Sequence, residues 1–265
     1  MKLAVVQFAP VLGRPQETRD RVRELSRDFA GADLVILPEL ANSGYAFSTR
    51  SQAVTLAEDP EASPFVDLLV ALCRTHGQHV VTGFCERDGE ALYNSALLVG
   101  PDGVLGTYRK LHLFLDEIDV FEPGDVGLPT FTVQGVRLGI LICFDWRFPE
   151  VWRALALAGA DLICHPSNLI TPGLAQRVVP VHALLNRVYV ATANRVGQEG
   201  SLTFTGVSQI VDPSGKVIAQ AGEVEETVLK AEVDPAKARD KAVNARNDLF
   251  ADRRPEFYSG RPTSN

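Results

Sequence analysis

The sequence predicts an α/β protein folded as a four-layer α-β-β-α sandwich built from two similar half-sheets. Three observations carry that prediction. Short, nearly continuous apolar runs, as expected of strands buried on both faces, alternate with segments that are apolar at helical spacing. This alternation occurs twice, beginning again after Gly135. Each half then closes on a strand pair around a Pro-x-Gly turn, so that the stretch from Asn94 to Gly103 echoes the stretch from Gly206 to Gly215. Two sheets, each covered by helices on one side only, can bury their bare faces against each other. A single doubly wound sheet also fits the alternation but explains the late hairpins less well.

Taken in order, Leu3 to Ala9 reads as the first buried strand. A helix over about 18–30 puts Val22, Leu25 and Phe29 on one face, and Gly31 stops it. Residues 33–37 form a second strand that ends at Pro38-Glu39. Ser63 caps a helix that Pro64 opens and that runs to about Gly77. Strands follow at 79–85 and 92–99 and, past a Pro101-Asp102-Gly103 turn, at 104–108. The second half reads as a strand at 136–144, a helix at 149–158, a strand at 161–164, a helix at 173–187 and a strand at 188–193. A hairpin then joins 206–211 to 216–220, and a strand at 227–233 closes the series. From about Ala236 the chain turns polar and is expected to be helical. No low-complexity linker separates the halves, so residues 1–265 read as one domain. The tail, 236–265, mixes aromatics with charges, a composition enriched at interfaces, and is assigned to the interface of a homodimer.

Composition removes several function classes. A chain of 265 residues that is 46% hydrophobic and 22% charged is globular rather than disordered. A net charge of −7, with no basic run, argues against nucleic acid and anionic membranes as partners. No apolar stretch reaches the ~18 residues that a membrane helix needs. The opening residues, interrupted by Gln7, read as a strand and not as a signal segment. Cys73, Cys85, Cys143 and Cys164 are far apart and read as free thiols of a cytoplasmic protein. The histidines show no paired metal spacing, and no glycine-rich phosphate loop is present, so neither a metal nor a cofactor is expected.

Three segments end an apolar strand on a reactive side chain, the place where α/β architectures concentrate their sites. Leu34 to Pro38 runs into Glu39, which taken alone reads as a solvated loop residue. Tyr108-Arg109-Lys110-Leu111-His112-Leu113-Phe114 surrounds its basic pair with apolar residues, which suggests an inward-packing segment. Val136 to Ile142 runs into Cys143, and a proline-started helix follows at Pro149. Such a strand–turn–helix elbow lifts a nucleophile out of a sheet and exposes backbone N–H groups beside it. Taken alone, Cys143 equally reads as an inert buried thiol. Cys164-His165 does not read as a dyad, because neighbours on a strand point to opposite faces. His112 reads as a loop-fixing residue, and Asp145 and Arg195 as buried structural partners.

Together, Pro38-Glu39, the Tyr108 to Phe114 segment and Cys143-Phe144-Asp145-Trp146-Arg147-Phe148-Pro149-Glu150 resemble the nitrilase superfamily of carbon–nitrogen hydrolases, in order and spacing and along the whole chain. The resemblance implies the α-β-β-α fold and a dimer. It also implies a thiol mechanism, with Glu39 moving protons, Cys143 attacking an amide or nitrile carbon, and Lys110 favouring the thiolate. Lys110 and the backbone N–H of Phe144 would hold the oxyanion, and Glu117 would position Lys110 or the substrate. Tyr45, Trp146, Arg147 and Asn168 are the candidate substrate contacts. In carbamoyl-amino-acid hydrolases of the superfamily an asparagine matching Asn168, with nearby arginines, holds a carboxylate. Trp146 departs from that pattern and makes a bulky wall, which points to a short aliphatic substrate; Arg147 reads equally as a salt-bridge partner that holds the elbow. The expectation is an amidase for small aliphatic, including omega-, amides. A nitrilase and an N-carbamoyl hydrolase stand as alternatives, as do, outside the class, a non-catalytic binding module and an acyltransferase.

Overall fold

The computed structural model describes residues 1–258; the expected tail contact at 259–265 lies outside the described residues. In chain order the elements are β1 (Lys2–Gln7), α1 (Pro15–Phe29), β2 (Leu34–Ile36), α2 (Arg50–Leu56), α3 (Pro64–His76), β3 (His79–Asp88), β4 (Ala91–Gly100) and β5 (Gly103–Arg109). The second half continues with β6 (Thr130–Val133), β7 (Val136–Ile140), α4 (Pro149–Leu157), β8 (Leu162–Ser167), α5 (Leu174–Asn186) and β9 (Tyr189–Asn194). It ends with β10 (Gln198–Glu199), β11 (Leu202–Thr203), β12 (Gln209–Val211), β13 (Val217–Gln220), β14 (Thr227–Glu232), α6 (Pro235–Arg239), β15 (Ala242–Asn244) and β16 (Asn247–Asp248).

Two six-stranded sheets form, in the orders β14-β1-β2-β3-β4-β5 and β13-β12-β9-β8-β7-β6. In each, three parallel strands, β1-β2-β3 or β7-β8-β9, continue into an antiparallel pair. The duplication expected from the sequence is therefore present in the topology. The side-chain alternation of β1 shows how the layers stack. Leu3 and Val5 join a core shared with Leu138, Ile140 and Ile210 of the other sheet, whereas Ala4 and Val6 join Val22, Phe29, Phe65 and Leu69 of α1 and α3. Sheet packs on sheet inside, and helices cover the outside, which is the four-layer sandwich.

Some boundaries differ from expectation for local reasons. α1 begins three residues early, because Pro15 takes the first turn, where its missing N–H costs nothing. α3 is capped as expected, by the Ser63 hydroxyl at its start and a left-handed Gly77 at its end. α2 was not foreseen; Thr49 accepts from Gln52 to cap a helix with little apolar pattern. β6 was also unforeseen, and pairs with β7 through Gln134 and Gly135, both at positive φ. The strand expected over 136–144 stops at Ile140, and Cys143–Arg147 forms a 3₁₀ turn. The tail is less helical than expected. Only α6 is helical before a short hairpin, β15-β16, in which Asn244 accepts from the N–H groups of Arg246 and Asn247. β14 pairs with β1, so the late chain completes the first sheet. Among the described residues no helix is long and apolar enough to cross a membrane.

Candidate active site

The carboxyl ends of β2, β5, β7 and β8 converge and deliver Glu39, Lys110, Cys143 and Asn168. Glu39 is fully buried. Its Oε1 accepts from Lys110 Nζ at 2.7 Å and from Asn94 Nδ2 at 2.8 Å. Lys110 Nζ also donates to Glu117 Oε1 at 2.8 Å, and the Tyr45 hydroxyl donates to the same oxygen at 2.8 Å. The Asn94 carbonyl accepts from the Lys110 N–H, so one residue of β4 holds both members of the Lys110–Glu39 pair. Sequence reasoning missed Asn94; its signal was a polar residue inside the apolar run of residues 92–99.

Gly83 of β3 makes the Glu39 placement possible. A Cβ there would lie 2.3 Å from Glu39 Cα and 2.5 Å from both the Pro38 carbonyl oxygen and the Leu40 N. These are backbone atoms, so they cannot rotate aside. Gly83→Ala is expected to displace Glu39, lowering kcat/KM by on the order of 10² and destabilising the fold by about 1–3 kcal/mol. Activity assays paired with urea unfolding check this; a destabilised variant with wild-type kcat/KM would contradict it.

Cys143 sits at φ +40°, a left-handed conformation that an L residue adopts only under constraint. The constraint is visible. Asp145 Oδ2 accepts from the Ile142 N–H at 3.0 Å and from the Tyr108 hydroxyl at 2.7 Å. Asp145 Oδ1 meets His112 Nδ1 at 2.7 Å, and the His112 ring stacks on Phe148. Thus Asp145 and His112 hold the elbow against the Tyr108 to Phe114 segment, the structural parts expected of them. His165 Nε2 lies 3.0 Å from the Cys143 carbonyl. That oxygen only accepts, so Nε2 carries the hydrogen. Burial pushes the His165 pKa down to about 4, which keeps the ring neutral. This contact was not foreseen; strand alternation, which sends Cys164 into the core, also turns His165 towards the elbow.

Burial pushes the Cys143 thiol well above its ordinary pKa, the Glu39 charge adds to this, and Lys110 opposes it. Lys110 favours the thiolate, and burial with the neighbouring carboxylates favours the thiol more strongly. For Lys110, burial alone would lower the pKa, but Glu117 and Glu39 outweigh it and keep the ammonium charged. Burial holds the Glu117 carboxyl above the ordinary range against the pull of Lys110.

Beside Cys143 opens a cavity of about 370 Å³, counting its mouth, lined by Phe114, Phe144, Trp146, Arg147, Asn168, Leu169 and Ile170 among others. Trp146 is buried and Arg147 exposed, with the guanidinium 5.0 Å from the Trp146 ring centroid. Arg147 makes no ion pair among the described residues, so the salt bridge considered for it is not there. Phe144 follows Cys143 in the first turn of the 3₁₀ segment, where N–H groups lack intrahelical partners. Tyr45 does not line this cavity. It belongs to the carboxylate–lysine cluster, and its backbone N–H donates to Glu199 Oε2 at 2.8 Å, an oxygen that also takes the Ala46 N–H. Arg195, buried as expected, clamps Glu199 Oε1 at 2.6 Å. Nothing in the sequence marked Glu199. Among the described residues no group of three or more metal-binding side chains is placed to hold a metal.

The chain is similar to known proteins along nearly its whole length. A model of the carbon-nitrogen hydrolase family matches residues 2–242. A nitrilase from Pyrococcus abyssi is 44% identical over 260 residues, covering 97% of this chain and 99% of that protein. An (R)-stereoselective amidase from Pseudomonas sp. is 36% identical over 248 residues, 90% of this chain and 87% of that one. The crystal structure of an amidase from Nesterenkonia sp., 28% identical, superposes with a TM-score of 0.79 over 97% of this chain and 94% of its own.

Proposed function

The chain belongs to the carbon-nitrogen hydrolase family, and on that premise we propose that it is an amidase that cleaves small aliphatic carboxamides to the acid and ammonia through a Cys143 thioester. The observation that carries this reading is the buried Lys110–Glu39 pair, which occupies Glu39 Oε1 and leaves Oε2 without a partner among the described residues, in the same cluster as the Cys143 thiol. A carboxylate oxygen kept unpaired in a dry site is a proton acceptor. The aromatic and aliphatic walls of the cavity suit a short acyl group.

Glu39 Oε2 takes the thiol proton as Cys143 Sγ attacks the amide carbon. The negative charge that develops on the carbonyl oxygen is held by Lys110 Nζ and the Phe144 N–H. Glu39 then gives its proton to the nitrogen, the carbon–nitrogen bond breaks, ammonia leaves and the thioester remains. Glu39, again a carboxylate, takes a proton from the attacking water, and the acid is released as the sulfur regains its proton. Glu117, with Tyr45 on the same oxygen, holds Lys110 in position and balances its charge. Coupling the proton transfer to the attack avoids a free thiolate, which the raised thiol pKa disfavours.

Ammonia release from a panel of short amides, omega-amides of dicarboxylic acids, N-carbamoyl amino acids and short nitriles tests the reading. A short amide is expected to be the best substrate. Preference for a nitrile, or carbon dioxide released with the ammonia from carbamoyl compounds, would overturn it.

A further inference from the structure

Three oxygens around Glu39 have no hydrogen-bond partner among the described residues: Glu39 Oε2, Asn94 Oδ1 and Asn168 Oδ1. All three residues are at most 2% exposed. Their orientations are set by chemistry. Asn94 donates to the Glu39 carboxylate at 2.8 Å, and Asn168 donates to the Glu39 main-chain carbonyl at 3.0 Å. Both of these partners can only accept, so each asparagine must turn its nitrogen to Glu39 and its oxygen away. Asn168 also lines the cavity beside Cys143. A buried acceptor left unpaired is destabilising; the one at the cavity, Asn168 Oδ1, calls for a ligand that brings a donor.

We propose that Asn168 Oδ1, unpaired at the cavity beside Cys143, accepts from an N–H group of a primary carboxamide and of the ammonia it releases, and that Asn168 thereby selects amides over nitriles. The inference rests on the amidase reading above and names the residue behind the choice. A primary amide nitrogen brings two donors here, and departing ammonia brings three. A nitrile nitrogen brings none and turns a lone pair towards the asparagine oxygen. Glu39 can serve either nitrogen once it holds the thiol proton; the Asn168 oxygen can serve only the amide. Sites built to bond a substrate N–H reject analogues that lack it by on the order of 10⁴.

The test compares wild type, Asn168→Leu and Asn168→Ala on a short primary amide and on the phenyl ester of the same acid. Both substrates acylate Cys143 with the same group, and the ester carries no N–H on its leaving atom. Because kcat/KM covers steps only up to leaving-group release, hydrolysis of the shared thioester does not enter. The amide-to-ester ratio of kcat/KM is expected to fall at least tenfold in both variants, roughly the worth of one buried hydrogen bond. Ester turnover reports that each variant is folded. Equal losses on both substrates would overturn the proposal and leave Asn168 only its bond to the Glu39 carbonyl; so would an unchanged ratio. A wild type that cleaves the ester but no amide would sink the amidase reading itself, a failure seen before any variant is compared.

Discussion

Cys143→Ala is expected to abolish ammonia release, lowering kcat by on the order of 10⁴-fold or more while leaving the fold intact. The two halves of this expectation have separate causes. The sulfur is the atom that would form the thioester, and alanine offers no substitute. Yet the bonds that build the cluster, Lys110 to Glu39, Lys110 to Glu117 and Tyr45 to Glu117, do not pass through it. The strained elbow is held by Asp145 and by His165 on the Cys143 carbonyl, and alanine keeps that carbonyl. The other thiols are not placed to take over: Cys73, Cys85 and Cys164 are buried, and none of them lines the cavity beside Cys143. Ammonia assays and circular dichroism on the same preparation check both halves. Hydrolysis within tenfold of wild type by a folded Cys143→Ala protein would move the nucleophile elsewhere.

Lys110→Met should cost both activity and stability. Loss of an oxyanion donor lowers kcat by on the order of 10²–10³. Loss of the cation leaves Glu39 and Glu117 facing each other in a site from which water is excluded, and removing one partner of a buried ion pair typically costs about 3–5 kcal/mol. The pH dependence gives this prediction its sign. The Glu117 pKa is already raised by burial and by Glu39, and Lys110 is what opposes those effects. Without Lys110 the folded-state pKa rises further above the unfolded value. For a carboxyl so raised, stability is retained below the unfolded pKa and is lost as pH climbs through the folded pKa. The deficit of the variant is therefore largest at neutral pH and shrinks towards about pH 5. Adding Glu117→Gln removes one of the opposed charges, so the double variant should regain stability but not activity. Urea unfolding at several pH values reads this, and a deficit that does not vary with pH would contradict it.

How much was legible in the sequence depended on range. The buried strands announced themselves as apolar runs because a doubly covered sheet leaves no polar face, and the caps of α3 followed from Ser63, Pro64 and Gly77. The approach of Glu39, Lys110 and Cys143 was legible only through a resemblance, since spacing along a chain does not say which strand ends meet. Asn94 and Asn168 show the same limit. Each touches Glu39 across more than fifty residues, and one of them does so from the opposite sheet. The pairing of β14 with β1 is non-local in the same way. β6 could have been found, because Thr130-Phe131-Thr132-Val133 alternates and Gln134-Gly135 makes a tight hairpin turn. The raised thiol pKa was not legible, because a motif shows the cation near Cys143 but neither its burial nor the two carboxylates beside it.

The central claim, a covalent acyl intermediate on Cys143, is tested most directly by quenching the enzyme in acid during turnover of a short amide and measuring its intact mass and peptide map. The expected result is a mass increase equal to the acyl group less one hydrogen, located on the Cys143 peptide and absent from Cys143→Ala. Steady ammonia release with every molecule unmodified, matched by ammonia release from Cys143→Ala, would contradict the account.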